Sequence, residues 1–497
     1  MALRLRALLR AAGRLPQREY DTIRETMRAV ARAPLSDDVL PARHVRSLVN
    51  AYETLAEDGR LAFLSILSRQ EVDNAAVQDA ASAVLALGDT TPSRTGAALR
   101  ARSELRDALR PANERILERI AQQPDGLPFL VSLRKDLLAG MSSSATSARG
   151  DGATDSAVVV ADGERERWRS LDASLRRLLS VWFDSGLLRL ERLSWDATPP
   201  ALLEKLMRYE RVHPFADWND LRARLTGPGK RMFALLHPRM QGEPLVFVHV
   251  ALLSRLPTRL TDVLPDTSPP SDGEGAASGA RERARARDEL PSEAAAEARR
   301  VAVFYSISSP FAGLRGVPIG GLLIKQVLDN LSAAAPGLSS FVTLSPVPGF
   351  RAWLEARIAR RRADQAAVDP PEGVALARLE AAVARLGVDV WDPFERVAAL
   401  DDGGVRDALV SLCARYLCLA KQRQRALDSV AAFHLRNGAS LVQVHWRANT
   451  SSRGLAESAG IMVSYQYVPD EIEQRHSAYV TSGEISADPA VWTLANQ

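Results

Sequence analysis

The sequence predicts an α+β chain: an all-helical N-terminal bundle over residues 1–193, then a mixed α/β domain over 194–497. Three observations carry that prediction. Apolar residues recur at helical spacing from about residue 17 to 193. Short runs rich in Val, Phe and Leu, flanked by turn residues, begin after residue 200. A strand, a Gly-rich turn and a helix then follow one another within residues 304–328. A chain of 497 residues is also long enough for two or three cores.

In the first part, Val45, Leu48, Val49 and Tyr52 fall at i, i+3, i+4 and i+7, with a break expected at Gly59. Phe129, Leu130, Leu133 and Leu137 make a second stripe. Trp168, Leu171, Leu175, Leu178, Leu179 and Trp182 make a third, ending near Gly186. Such stripes read as core, and no catalytic cluster stands among them. The small polar stretch from Ser142 to Gly163 reads as an inter-helix loop. A second polar stretch, near 266–299, reads as a disordered insertion in the second domain.

In the second part, Arg231 to Leu236, Leu245 to Leu252, Val301 to Ile307 and Ser340 to Leu344 read as strands. Gly320 to Ala335 reads as an amphipathic helix and 349–427 as a helical block. Leu441 to Trp446 and Ile461 to Val468 close the pattern as strands.

Composition narrows the function classes. A net charge of +4 is small beside 64 basic and 60 acidic residues, and the basic residues are interleaved with acids rather than gathered in a stripe. Nucleic-acid binding is therefore not expected. No apolar run approaches the roughly 18–20 residues of a membrane span. The two cysteines, Cys413 and Cys418, suit neither a zinc site nor a disulfide framework, which favours a reducing compartment. None of the seven histidines pairs at HxxxH spacing, so no metal site is expected. The first 18 residues carry five Arg and no acid, as a transit segment would, but lack Ser, and Arg is common throughout. A cytoplasmic location is expected, with the mitochondrial matrix as the alternative.

Three segments can carry chemistry. In FYSISSPFAGLRGVPIGGLLIKQVL, the turn Arg315, Gly316, Val317, Pro318, Ile319, Gly320, Gly321 brings backbone amides to a helix start. There the helix dipole favours an anion such as a pyrophosphate, although a purely structural turn fits equally. In FVTLSPVPGFRAWL, Ser345 ends a strand before a Pro-stiffened turn, either as an ordinary turn serine or as a hydroxyl presented to a cleft. In FHLRNGASLVQVHW, His434 sits near a helix end closed by Asn437-Gly438, a place where a structural histidine is also common.

The order FYSIS…GLRGVPIGGLLIK, FVTLSPVPGF, FHLRNGA resembles malonyl-CoA decarboxylases. GEPLVFVHVAL and RVHPFADWNDL fit that family too. One departure is visible: Ser429 precedes Val430 where the family usually carries Pro. The resemblance implies a GNAT-like catalytic domain, malonyl-CoA as substrate, and a homo-oligomer, a tetramer, assembled through the helical domain. It assigns the catalytic serine to Ser345, the catalytic histidine to His434 and the CoA loop to Arg315 through Gly321.

The chemistry agrees with that assignment. Loss of CO2 from a malonyl thioester leaves an enolate that must be stabilised and protonated. The thioester carbonyl is the electron sink, so no cofactor is expected. An imidazole with an ordinary pKa near 6.5 would suit proton delivery, with the serine hydroxyl holding the carboxylate or enolate. Asn437 would orient His434 or cap its helix. Tyr465 and Tyr467 lie on one face of a strand that could line the site. Three rivals remain: a GNAT-type acyltransferase, a Ser–His thioesterase, although LSPVP is no nucleophile elbow, and a non-catalytic malonyl-CoA sensor.

Overall fold

A computed structural model describes residues 15–33, 39–87, 95–146, 162–184, 186–264, 299–363, 370–389, 394–400 and 402–497. The expected insertion near 266–299, except Arg299, lies outside the described residues, as do 147–161 of the first polar stretch and 1–14 of the N-terminal segment. Two compact units emerge. One comprises Met1–Arg189, Leu236–Leu245 and Pro310–Ile319, the other Leu190–Leu235, Val246–Ser309 and Gly320–Gln497. No helix among the described residues is long and apolar enough to cross a membrane.

The first unit is helical: α1 (Gln17–Arg32), α2 (Val39–Thr54), α3 (Glu57–Ser68), α4 (Asn74–Ala86), α5 (Thr95–Ala108), α6 (Ala112–Gln122), α7 (Gly126–Thr146) and α8 (Asp162–Trp182). Periodicity explains its core. Val45, Leu48 and Tyr52 of α2 are buried, as are Ile23, Met27, Val30 and Ala31 of α1. The Tyr52 ring meets Phe63 and Phe129 edge-on at 5.0 and 5.3 Å, and each such pair adds about 0.5–1.5 kcal/mol beyond area burial. Gly59 lies inside α3 rather than at the break, because the chain has already turned at Leu55 and Ala56. The α6–α7 corner requires glycine: a Cβ on Gly126 would stand 1.7 Å from the Ile120 carbonyl oxygen. Residues 310–319 pack into this unit. The buried Arg134 of α7 donates to the carbonyls of Gly313 (2.6 Å) and Arg315 (2.8 Å) and to Asp172 (2.8 Å).

The second unit is a mixed sheet with helices, and the chain as a whole is α+β. Helical structure does not run to 193 as expected, because Arg189–Leu193 forms β1 at the sheet edge. Helices α9 (Pro200–Tyr209) and α10 (Trp218–Thr226) precede β2 (Lys230–Leu236) and β3 (Val246–Leu253), which pair antiparallel. Next come β4 (Val301–Ser308), α11 (Ile319–Ala334) and β5 (Ser340–Thr343), with β4 and β5 parallel. The expected strand at 340–344 breaks at Leu344, and Ser345–Pro346 resumes as β6 because proline stiffens the exit.

The helical block resolves into α12 (Phe350–Ala363), α13 (Pro370–Ala384), α14 (Phe394–Ala399) and α15 (Gly403–Cys418). It ends before 427: β7 (Lys421–Gln422) and β8 (Arg425–Ala426) make a tight hairpin with Arg423 and Gln424 both at positive φ. That turn usually carries Asn-Gly, so its sequence signal was missing. Helix α16 (Ser429–Arg436), β9 (Ser440–His445), α17 (Ser452–Ser458), β10 (Met462–Tyr467), α18 (Ile472–Ser482) and α19 (Pro489–Asn496) complete the chain. The sheet order is β1-β2-β3-β4-β5-β10-β6, with β9 on the other side of β10. Strand β10 thus runs antiparallel to both β5 and β6, opposing Val463 to Ser345 and Tyr467 to Phe341.

Candidate active site

The two residues singled out from distant segments meet. His434 lies in the last turn of α16, capped by Asp428 at its start and closed by Asn437, whose Nδ2 donates to the Phe433 carbonyl at 2.9 Å. Ser345 opens β6. Its Oγ lies 3.2 Å from His434 Nε2, across 89 positions of chain. Both side chains are buried, at 5% and 4% exposure. Sequence reasoning did not select Thr343. It shares the face of Ser345 by strand alternation, accepts from the Ser345 hydroxyl at 2.9 Å and receives the Tyr465 N–H at 3.0 Å.

The tyrosines of β10 take different roles. Tyr467 Oη lies 2.8 Å from His434 Nδ1. The Tyr465 ring stacks on the imidazole at 4.6 Å and 22°, and its buried hydroxyl has no hydrogen-bond partner among the described residues. Of the two tyrosines expected on this strand, Tyr467 makes the polar contact and Tyr465 the ring contact.

Burial fixes the protonation state. Removing the imidazolium from water pushes His434 down to about 3, so the ring is neutral at physiological pH. The ordinary value near 6.5 expected from sequence does not apply. Burial likewise raises the Tyr467 phenol, which keeps its proton. A Tyr467 O–H donated to Nδ1 satisfies that buried proton, and the imidazole N–H then sits on Nε2 and points at Ser345 Oγ. With its own proton on Thr343, the serine oxygen is a ready acceptor. The result is a relay, Tyr467 to His434 to Ser345 to Thr343, holding neither carboxylate nor net charge. At rest His434 is a donor toward Ser345, the reverse of a base that would activate a nucleophile.

The Gly-rich turn is built for two purposes. Gly316 has φ +81°, a backbone that a side chain would strain. A Cβ on Gly313 would stand 1.9 Å from the Val131 carbonyl oxygen, so the turn lies directly on α7. Val317 and Ile319 are buried. Gly320 and Gly321 have a packing reason: added Cβ atoms would meet the Phe433 ring at 2.7 Å and Asn437 Oδ1 at 2.3 Å. These two glycines let the start of α11 press against the helix that carries His434.

A second buried polar centre escaped the sequence reading. Glu210, at 2% exposure, accepts from the Val212 and His213 amides (2.8 Å each), from Ser306 through both oxygens (2.9 Å) and from Ser308 (3.2 Å). His249 Nε2 stands 3.3 Å away. Burial, which opposes ionisation, is outweighed by His249 and these donors, and the carboxyl sits at about 2. Nearby, Arg224 pairs with Asp220 at 2.6 Å and donates to the His213 carbonyl at 2.7 Å. The motif RVHPFADWNDL is therefore used to build this network. Nothing local in the sequence linked this motif to the serines of β4. Among the described residues, no group of three or more His, Cys, Asp and Glu is arranged to hold a metal ion.

Comparison with known proteins gives a consistent result. A family model described as malonyl-CoA decarboxylase C-terminal domain matches residues 186–497, and one described as malonyl-CoA decarboxylase N-terminal domain matches 71–183. Rattus norvegicus "Malonyl-CoA decarboxylase, mitochondrial" is 32% identical over 438 residues, 86% of this chain and 79% of the relative. The Anser anser anser protein of that name is 30% identical over 411 residues, 81% of this chain and 73% of the relative. A crystal structure of malonyl-CoA decarboxylase from Rhodopseudomonas palustris superposes with a TM-score of 0.71 at 31% identity, covering 95% of this chain and 99% of that one. One from Agrobacterium vitis gives 0.71 at 30%, covering 96% and 100%.

Proposed function

The chain belongs to the malonyl-CoA decarboxylase family, a family of carboxy-lyases, and from that premise we propose that it converts malonyl-CoA to acetyl-CoA and CO2 without a cofactor, through Ser345 and His434. The observation that carries this reading is the buried 3.2 Å contact between Ser345 Oγ and His434 Nε2. The bond from Cα to the carboxylate breaks, CO2 leaves, and its electron pair forms the thioester enolate. The Ser345 hydroxyl turns from Thr343 to the substrate and protonates Cα, and His434 Nε2–H returns a proton to the serine. Nδ1 takes the Tyr467 proton in turn, so the imidazole stays neutral and the charge rests on the phenol oxygen until solvent reprotonates it. Solvent restores the one proton that the reaction consumes. A neutral imidazole suffices because the thioester enolate is a far stronger base than the groups that protonate it. Low dielectric and fixed hydrogen bonds favour charge developing beside these donors, and loss of one such donor costs about 2.7–4 kcal/mol of barrier.

The turn Arg315 through Gly321 holds the CoA pyrophosphate in this reading, supported by the Arg134 clamp on the Gly313 and Arg315 carbonyls. Asn437 and Tyr465 support His434. Catalysis is assigned to residues 194–497 and homo-oligomerisation to the helical part, 1–193, with a tetramer as the expected assembly. The protein acts in the cytoplasm, with the mitochondrial matrix as the alternative, and binds neither nucleic acid nor membrane.

The test is to supply malonyl-CoA and follow CO2, acetyl-CoA and free thiol together. Equal CO2 and acetyl-CoA without thiol supports the reading. Thiol release would indicate a thioesterase, and no product a sensor. Acetyl transfer to an added amine would indicate an acyltransferase.

A further inference from the structure

We propose that Asp428 is a positioning residue for the Ser345–His434 pair: its carboxylate ties the turn after Ser345 to the first turn of the helix that carries His434. This rests on the reading of those two residues given above.

Asp428 is 1% exposed and its two oxygens do different work. Oδ1 caps α16, accepting the Val430 and Ala431 amides at 2.9 and 3.0 Å. Oδ2 faces the other way. It accepts the Gly349 amide at 3.2 Å and the Tyr416 hydroxyl at 3.3 Å. Gly349 follows Ser345 by four residues, through Pro346-Val347-Pro348. Two prolines make that link stiff, so fixing Gly349 restrains the serine. On the other side, α16 has only 8 residues, and so short a helix takes its depth and roll from its ends. The Ser345–His434 contact must be held within a few tenths of an ångström across two segments far apart in sequence. One rigid carboxylate between their backbones does this. The fit is close, since a Cβ on Gly349 would stand 2.1 Å from Tyr416 Oη and 3.2 Å from Asp428 Oδ2.

Helix capping alone leaves the second oxygen unexplained. Ser and Asn cap helices about as well as Asp, but Ser has no second oxygen to reach Gly349. Asn would turn its amide donors toward the Gly349 donor. Asp428→Ser therefore separates the two roles. Wild type and variant are compared by kcat and KM for malonyl-CoA, by melting temperature, and by the NMR resonance of the His434 Nε2–H in ¹⁵N-histidine-labelled protein. We expect kcat per folded molecule to fall about 10- to 50-fold, KM to stay within about twofold, the melting temperature to fall by a few degrees as the Gly349 and Tyr416 donors lose their acceptor, and the resonance to shift or broaden as its acceptor moves. A kcat within about twofold of wild type, or a loss that only follows loss of folded protein while the resonance stays put, overturns the proposal. If Asp428→Ser does not fold, Asp428→Asn, close to the original volume, is read by the same outcomes. If wild type releases no CO2, the decarboxylase reading fails, and the resonance still decides the role of Asp428.

Discussion

Two buried histidine–serine centres of the second unit, one at Glu210 and one at His434, are opposites. Around Glu210, a carboxylate, His249, Ser306 and Ser308 form what looks on paper like an acid–base–nucleophile set. There the carboxylate takes five close donor contacts and is held ionised, while His249 makes no hydrogen bond among the described residues. Around His434 no carboxylate among the described residues bonds the ring. The imidazole is neutral, its tautomer is set by Tyr467, and the chain of donors ends on a serine hydroxyl able to turn toward a substrate. The difference teaches that a buried carboxylate whose acceptor sites are filled is a strut, whereas a neutral relay with a rotatable end can do chemistry.

Substituting each histidine breaks this comparison most sharply. His434→Gln is expected to lower kcat about 10³-fold with KM little changed, because proton transfer is worth about 10²–10⁴. His249→Gln should leave kcat per folded molecule within about threefold. Steady-state kinetics on the two variants measures both. Next in size, Glu210→Ala removes one side of a buried pair and should reduce unfolding free energy by about 3–5 kcal/mol in a denaturant titration. Tyr467→Phe leaves Nδ1 without its donor and frees the tautomer. That should cost about 1–2 kcal/mol, roughly 5- to 30-fold in kcat, without the stability loss of Glu210→Ala.

Acid separates the centres more gently. His213 and His434 are lowered by burial to about 4 and about 3. Their neutral forms contribute stability above the unfolded value of 6.5, and that contribution is lost as pH falls toward those values. The first unit of pH below 6.5 should cost about 1 kcal/mol per histidine. Glu210, lowered from 4.5 to about 2, contributes above 4.5 and loses its contribution between those values. Denaturant unfolding across pH should therefore show two windows, and Glu210→Gln should erase the lower one.

Much of the fold was legible because it rests on local periodicity. The stripes through Val45–Tyr52 and Trp168–Leu179 buried as the 3.6-residue period requires, and the runs near 231–236, 246–252 and 301–307 became β2, β3 and β4. The hairpin at 421–426 was not legible, since Arg423 and Gln424 adopt positive φ without a glycine. Ser345 and His434 were found through resemblance, not through spacing. What sequence could not convey was how the polar groups pair. Thr343 beside Ser345, Tyr467 behind His434 and Asp428 beneath both are joined by tertiary contacts across up to 122 positions. The histidine's protonation state was misread for the same reason, because desolvation belongs to the folded surroundings and not to the residue.

Whether Ser345 and His434 act as one unit is tested most directly by a double-mutant cycle on kcat with malonyl-CoA. Ser345→Ala, His434→Gln and the double variant are measured on folded enzyme, with CO2 as the readout. Because both residues serve one proton path, the double variant is expected to be no slower than the slower single variant, within about threefold. Losses that multiply, or either single variant near wild-type rate, would contradict a shared relay.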